Sequence, residues 1–277
     1  YQKMGLRVQL CAPTGRASKR LNEATGYPAK TLHRLLHFDP VTRQFRHNEH
    51  YPLPVDVLII DESSMLDLPL FRDVLKALSD RARLLLVGDA DQLPSVGPGQ
   101  VLKDCLLSDF IPSCRLHEIF RQARRSQIVM NAHRIHEGKM PLAPEKSPSD
   151  FYLWKHAETE TLPTLLEHLI TQRIPNTFSF CPQKEIQILT PMHRGIVGTI
   201  SLNQRFQALF TDPKAPYCQS GDDQWRQGDK VMQRQNNYQK EVFNGDVGWI
   251  ESVNPDQQTL EVAFDDRLIP YSHKEFH

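Results

Sequence analysis

The sequence predicts an α/β protein built on a layered parallel sheet, and three short apolar runs are what predict it. Residues 8–11, 55–60 and 84–87 each read as a buried strand, each ends abruptly in small or acidic residues, and helix-like spacing separates them. In sheets of this kind ligands bind beyond the carboxyl ends of the strands. The residues there are Ala12-Pro13-Thr14-Gly15, Asp61-Glu62 and Gly88-Asp89, so the loops carry more functional weight than the strands.

Taken in order, the first run leads into a strand-to-helix turn. Between the first two strands, Phe38 and Phe45 flank a Pro-containing turn, which predicts a small hairpin projecting from the sheet, within about residues 37–53. A boundary near residues 108–113 closes a first domain of residues 1–110 and opens a second at 113–227. The second begins with helical spacing through Ile128, Ile135 and Met140, followed by a Pro-rich loop at 141–148. Strands at 151–154 and 186–189 are expected on either side of a helix near 162–170. From Gly228 the pattern changes to short alternating strands with Gly and Asn-Gly turns, at 230–233, 247–253 and 259–264, which predicts a small β-barrel-like module over 228–277.

Composition bounds the function. At 277 residues the chain has room for about two domains, and 39% hydrophobic with 24% charged residues is globular. Lys plus Arg and Asp plus Glu each number 33, which excludes a uniformly basic nucleic-acid coat but not a local basic groove. Residues 1–50 hold nine basic and three acidic side chains, residues 56–80 two and six, and residues 115–140 six and two. Such alternation suits a polyanion groove beside a metal site, and chance clustering on solvated faces explains it equally well. No apolar run approaches the ~18 residues that span a bilayer. Five widely spaced cysteines and the lack of a signal-peptide pattern point to free thiols in the cytoplasm. The pairs His47 with His50 and His133 with His136 lack any CxxC or HExxH companion, so a zinc site is not expected.

Two constellations carry chemistry. In Val57-Leu58-Ile59-Ile60-Asp61-Glu62 a buried strand delivers adjacent carboxylates to its carboxyl end. In phosphoryl-transfer sites the first of such a pair holds Mg²⁺, and the second can orient or deprotonate water. The alternative is a capping Asp and a solvated Glu. In Gly88-Asp89-Ala90-Asp91-Gln92-Leu93-Pro94 a second strand yields a loop carrying a neutral amide, which can donate to a phosphate and accept from water. The alternative there is an ordinary acidic turn.

These two stretches resemble motifs II and III of superfamily 1 helicases, in particular the RecD-like branch that contains the alpha subunit of exonuclease V. Further stretches agree in order: Ala12 to Ala17 with motif Ia, Thr31 to Leu36 with the motif after it, Leu116 to Gln122 with motif IV, Leu189 to Asn203 with the next block, and Val242 to Gly248 with the entry to an SH3-like insert. The resemblance implies two RecA-like P-loop NTPase lobes, the first incomplete, and a partial SH3-like β insert. It implies that Asp61 binds Mg²⁺, Glu62 is the general base, Gln92 senses the γ-phosphate of ATP and Arg121 is an arginine finger; read without it, Arg121 is a surface cation beside Arg124 and Arg125. Thr14, Gly15, Arg16, Thr31, His33, Thr190, His193 and Arg194 are the implied contacts to single-stranded DNA, though each could equally be a cap or a solvated side chain. The hairpin corresponds to the family's pin at a duplex fork.

No G-x-x-x-x-G-K-[ST] occurs in the sequence, and the turn at Thr14 lacks that spacing. The expectation is therefore a piece of a longer protein, opening at Tyr1 after the phosphate-binding loop and ending before the family's last motif. For the parent, the resemblance implies an ATP-dependent DNA helicase moving 5′→3′ on single-stranded DNA in recombination and repair, with nuclease or helicase partner subunits. The alternative for this chain is a non-catalytic DNA-binding or interaction fragment. A conjugative relaxase helicase fits less well, because no tyrosine transesterase domain is visible.

Overall fold

The computed structural model describes residues 1–39, 41–116, 126–144, 149–237, 239–265 and 267–276. The chain divides into two compact units, Tyr1–Arg121 with Gln235–Gly245, and Gln122–Arg234 with Asp246–His277.

The first unit runs β1 (Val8–Ala12), α1 (Gly15–Thr25), β2 (Ala29–Thr31), α2 (Leu32–Leu35), β3 (Phe38–Asp39), β4 (Gln44–Phe45), β5 (Val57–Ile60), α3 (Leu68–Ala77), β6 (Arg83–Leu86) and α4 (Val101–Leu107). Strands β2, β1, β5 and β6 form, in that order, a wholly parallel sheet. Cys11 stands opposite Ile60, and Ile60 opposite Leu86, so the three strands the sequence singled out finish level with one another. Beneath them, Leu58 and Ile60 pack with Leu32, Leu36, Leu66, Val74, Ala77 and Val101 in one apolar cluster. Burial of this kind stabilises by about 25 cal/mol per Å² of apolar surface.

Strand β6 departs from the expectation of a fully buried strand. It is the edge of the described sheet, and its side chains alternate between exposed and half-buried. Leu84 and Leu86 face the cluster, whereas Leu85 is 46% and Val87 43% exposed. A parallel sheet is ordinarily covered on both faces. Among the described residues, the face of β6 that carries Leu84 and Leu86 packs on the cluster with Val74, Ala77 and Val101, while Leu85 and Val87 on the other face stay open. Strands β3 and β4 form the expected antiparallel hairpin, with Phe38 opposite Phe45.

The second unit runs α5 (Gln127–His136), α6 (Leu162–His168), α7 (Ile174–Phe178), α8 (Pro182–Glu185), α9 (Thr199–Phe210), β7 (Tyr217–Ser220), β8 (Asp223–Arg226), β9 (Lys230–Met232), β10 (Val247–Asn254), β11 (Thr259–Phe264) and β12 (Arg267–Ser272). Strands β12, β11, β10 and β9 make an antiparallel sheet, and β7 pairs with β8. One face of the larger sheet carries the buried Ile250, Leu260, Val262, Phe264, Ile269 and Tyr271. The expected strands at 230–233, 247–253 and 259–264 are present, and β12 adds a fourth. It tolerates Pro270 because it lies at the sheet's edge, where a missing N–H breaks no ladder.

The strands expected at 151–154 and 186–189 do not form. Both stretches run without a ladder partner among the described residues, and Trp154 and Leu189 stand 50% and 89% exposed. An apolar run becomes a strand only where a neighbour takes its backbone donors and acceptors. The helix expected near 162–170 is longer than predicted. Helix α6 continues through a π-helical turn, Leu169–Arg173, into α7, with Pro175 at the start of α7 where its missing N–H is tolerated.

Candidate nucleotide and nucleic-acid site

At the carboxyl end of β5 the backbone makes a tight, fully specified turn. Asp61 N donates to Cys11 O at 2.9 Å, continuing the ladder one residue beyond the strand. Glu62 N donates to Asp61 Oδ1 at 2.9 Å, which fixes the Asp61 carboxylate. Glu62 itself adopts φ 53° and ψ 40°, a left-handed conformation that a non-glycine residue holds only at a cost of about 1–3 kcal/mol. What holds it is the next residue. Ser63 N donates to Val87 O at 2.9 Å and Ser63 Oγ to Ile60 O at 2.8 Å, with Ser63 completely buried. The turn thus lifts both half-buried carboxylates off the sheet edge beside the end of β6.

The loop leaving β6 lies against this turn. A Cβ on Gly88 would stand 2.9 Å from Ser63 N and 3.2 Å from Ser64 N, so only glycine fits without displacing the carboxylate turn. Asp89 organises the start of the loop: its Oδ1 accepts from Asp91 N at 3.0 Å and its Oδ2 from the Gln92 side-chain amide at 3.2 Å. Gln92 is exposed. Farther along, Leu68 N donates to Pro98 O at 2.9 Å, and Asp67 caps α3 through Leu70 N at 2.8 Å, seating the loop on the start of that helix.

At the end of β1, Thr14 caps α1, its Oγ1 accepting from Ala17 N at 3.2 Å. Gly15 is buried, and Arg16 is exposed with Nη1 donating to Gly245 O at 3.4 Å. The end of β2 repeats the capping theme. Thr31 is 3% exposed and its Oγ1 accepts from Arg34 N at 3.3 Å, so its hydroxyl has a structural task at the start of α2. His33 is half-buried against the rings of Phe38 and Phe45, with centroids 5.5 and 5.6 Å away, and so braces the hairpin. Burial lowers the His33 pKa, and Asp67 opposes that shift.

Thr190, His193 and Arg194 lie in the second unit on one loop that leads into α9. Thr190 Oγ1 donates to Val197 O at 2.8 Å, His193 Nδ1 lies 3.2 Å from Thr199 Oγ1, and Arg194 is exposed. Arg121, expected as the finger, lies outside the described residues.

Asp61, Glu62 and Gln92 therefore stand on adjacent loops at one edge of one sheet, and the Thr14–Arg16 turn leaves the same edge. Among the described residues no group of three or more His, Cys, Asp or Glu side chains could cage a metal. Mg²⁺ keeps several waters and is bound through one or two carboxylates plus substrate phosphates, and the carboxylates that could take that part at this edge are Asp61 and Glu62. Ser64 Oγ, two residues past Glu62, is buried without a hydrogen-bond partner among the described residues, an unsatisfied polar atom at this edge. The five cysteines are free thiols, and burial raises the Cys11, Cys105 and Cys218 pKa values. No helix of the described residues is long and apolar enough to cross a membrane.

The sequence places Asp61, Glu62 and Gln92 just after strands, which is where they lie, but it did not point to two further features of this edge. One is Asp89 as the partner of Gln92, which the Asp-x-x-Gln spacing could have suggested. The other is the segment Gln235–Gly245, which the sequence assigned wholly to the β module and the structure packs into the first unit.

Comparison with known proteins bears on this arrangement. Residues 1–98 match a family described as an AAA domain, and residues 202–264 match the ATP-dependent RecD-like DNA helicase SH3 domain, which begins well before Gly228. The ATP-dependent RecD2 DNA helicase of Deinococcus radiodurans is 35% identical over 268 residues, covering 97% of this chain and 35% of the relative. The RecBCD enzyme subunit RecD of Mycolicibacterium smegmatis is 30% identical over 270 residues, covering 87% of this chain and 48% of the relative. The chain thus spans between a third and a half of the length of these relatives. Among solved structures, a Bacteroides Pif1 helicase in complex with ADP-AlF3 and ssDNA superposes with TM-score 0.50 at 19% identity, covering 96% of this chain and 64% of that one. A Pif1 helicase structure described as unwinding forked dsDNA gives TM-score 0.51 at 20% identity, covering 97% and 66%. Fold and matches together define the class: a RecA-type helicase fold with an SH3-like domain. Within that class, the chain belongs to the RecD-like helicase family.

Proposed function

We propose that this chain carries the DNA-tracking and nucleotide-hydrolysing parts of an ATP-dependent DNA helicase that moves 5′→3′ on single-stranded DNA in recombination and repair. The observation that carries the reading is the placement of Asp61, Glu62 and Gln92 at one edge of a parallel sheet, on loops locked together by Ser63 and Gly88. Asp61 would hold Mg²⁺, which when bound neutralises charge on the phosphate oxygens. Glu62 would take a proton from the attacking water, and Gln92 would bind the γ-phosphate or that water. Arg121 would act as the finger, a planar guanidinium suited to transferring phosphoryl oxygens. Thr14, Gly15, Arg16, His33, Thr190, His193 and Arg194 would follow the DNA strand, with Thr31 acting through its cap, and the β3–β4 hairpin would meet the duplex fork. The polarity rests on the family resemblance. The relatives named as RecBCD subunits motivate nuclease or helicase partner subunits.

The test is ATP-dependent displacement from labelled forks by the full-length protein. Displacement from a fork with a 5′ single-stranded tail, and not from one with a 3′ tail, supports the reading. Equal displacement from both, or from the 3′ tail alone, contradicts the polarity. The missing G-x-x-x-x-G-K-[ST] favours a second reading for the chain itself, single-strand binding without turnover. Salt-sensitive DNA binding with no ATP hydrolysis by residues 1–277 is its expected signature.

A further inference from the structure

We propose that Phe243 is a positioning residue for single-strand binding: its side chain, seated on Gly15, holds the turn Thr14-Gly15-Arg16 in the shape that presents Arg16 to a DNA phosphate. The proposal rests on the reading that this turn contacts DNA.

The contact is close. A Cβ on Gly15 would overlap the Cβ, Cγ and Cδ1 atoms of Phe243. The φ of Gly15 lies outside the left-handed region, so glycine is required here by close approach and not by backbone conformation. Beside this seat Arg16 Nη1 reaches Gly245 O, so residues 243–245 meet two successive residues of the turn. A guanidinium has five donors, and fixing one of them on a carbonyl orients the fork while leaving donors for a phosphate.

Phe243 is held firmly enough to act as a brace. Val242 is completely buried and pairs with Asn237 in both directions, at 2.7 and 3.1 Å. Asn244 N donates to Asn236 Oδ1 at 2.9 Å, and Lys240 N to Asn237 Oδ1 at 3.1 Å. The hydrogen bonds of the elements that flank the turn, by contrast, are made by other residues. Thr14 caps α1, Ser18 Oγ donates to Gly15 O at 2.8 Å, and β1 is paired on both sides. Removing the ring therefore frees the turn without removing the helix or the sheet.

The experiment is fluorescence anisotropy of a labelled oligothymidylate with residues 1–277, across a salt series, for wild type, Arg16→Ala, Phe243→Ala and the double variant. Loss of one phosphate contact lowers the slope of log K against log salt by about 0.7 for single strands. Phe243→Ala is expected to produce that loss of slope with an affinity about 5–10-fold weaker, and to add less than about twofold once Arg16 is already Ala. Packing alone would not move the slope. Phe243→Leu keeps an apolar side chain on the seat and serves where Phe243→Ala does not fold; it is expected to shift the slope in the same direction. If Arg16→Ala keeps wild-type affinity and slope, the DNA reading of the turn fails and the proposal with it. If Arg16→Ala weakens binding but Phe243→Ala leaves the slope unchanged, or has its full effect in the Arg16→Ala background, the positioning role alone is overturned.

Discussion

Gly88→Ala is the substitution that probes the carboxylate turn most sharply. The added Cβ would stand 2.9 Å from Ser63 N, 3.1 Å from Leu102 Cδ2 and 3.2 Å from Ser64 N. Comfortable contacts lie near 3.5–4.0 Å, so each neighbour must retreat by several tenths of an ångström. Leu102 can rotate away. The two backbone nitrogens cannot, because Ser63 N is tied to Val87 O and Ser63 Oγ to Ile60 O. Gly88 has no left-handed φ, so the whole effect is steric. Overpacking of this kind costs about 1–3 kcal/mol. In a unit of this size that lowers the thermal midpoint by roughly 3–10 °C. The retreat also shifts Glu62, and misplacing a reacting group by about 1 Å can cost on the order of 10²-fold in rate. Thermal unfolding followed by circular dichroism, together with ATP turnover of the full-length variant, reads both effects. A Gly88→Ala protein with wild-type midpoint and wild-type turnover would refute the claim that glycine at this position secures the Glu62 turn.

Four further outcomes are expected. Glu62→Gln in the full-length protein should lower turnover by about 10²–10⁴-fold with nucleotide binding retained; unchanged turnover removes Glu62 from the mechanism. Asp229→Ala leaves Gln207, Thr211 and Arg226 N without the carboxylate they share, and should destabilise the second unit by about 2–4 kcal/mol in urea denaturation; a shift under about 0.5 kcal/mol contradicts this. Thr14→Ala removes the cap on α1 and should cost about 1 kcal/mol, with an unshifted denaturation midpoint counting against it. Arg7 holds the Asp56 carboxyl down to about 2 from its ordinary 3.8. The stability from this pair is therefore present above pH 3.8 and lost as pH falls through about 2. The gap between wild-type and Asp56→Asn midpoints should close over that window, and a gap unchanged at pH 2 contradicts the assignment.

The parallel sheet was legible because β1 and β5 are short, apolar and bounded by Gly, Pro and Asp, signals that act over a few residues. Strand β6 showed its sequence run but not its exposure, because burial depends on what covers a face and Leu84 to Val87 look alike as residues. The runs at 151–154 and 186–189 misled for the same reason, since strand formation needs a partner that the segment does not itself encode. Asp61, Glu62 and Gln92 were legible from residue type and position after a strand. The left-handed Glu62 was not, because Ser63 imposes it through Val87 and Ile60. Nor was the seat of Phe243 on Gly15, a contact between residues more than two hundred positions apart. Thr31 reads in sequence as a contact or a cap alike, and its buried hydroxyl in the structure performs the capping role.

The proposed function requires that the edge of the first sheet hydrolyse nucleotide in step with single-stranded DNA. The most direct measurement is ATP turnover by the full-length protein with and without single-stranded DNA, alongside Glu62→Gln and the isolated chain of residues 1–277. DNA-stimulated turnover that Glu62→Gln abolishes, with DNA binding but no turnover by residues 1–277, is the predicted result. Turnover that is indifferent to DNA, or that survives Glu62→Gln, would contradict it.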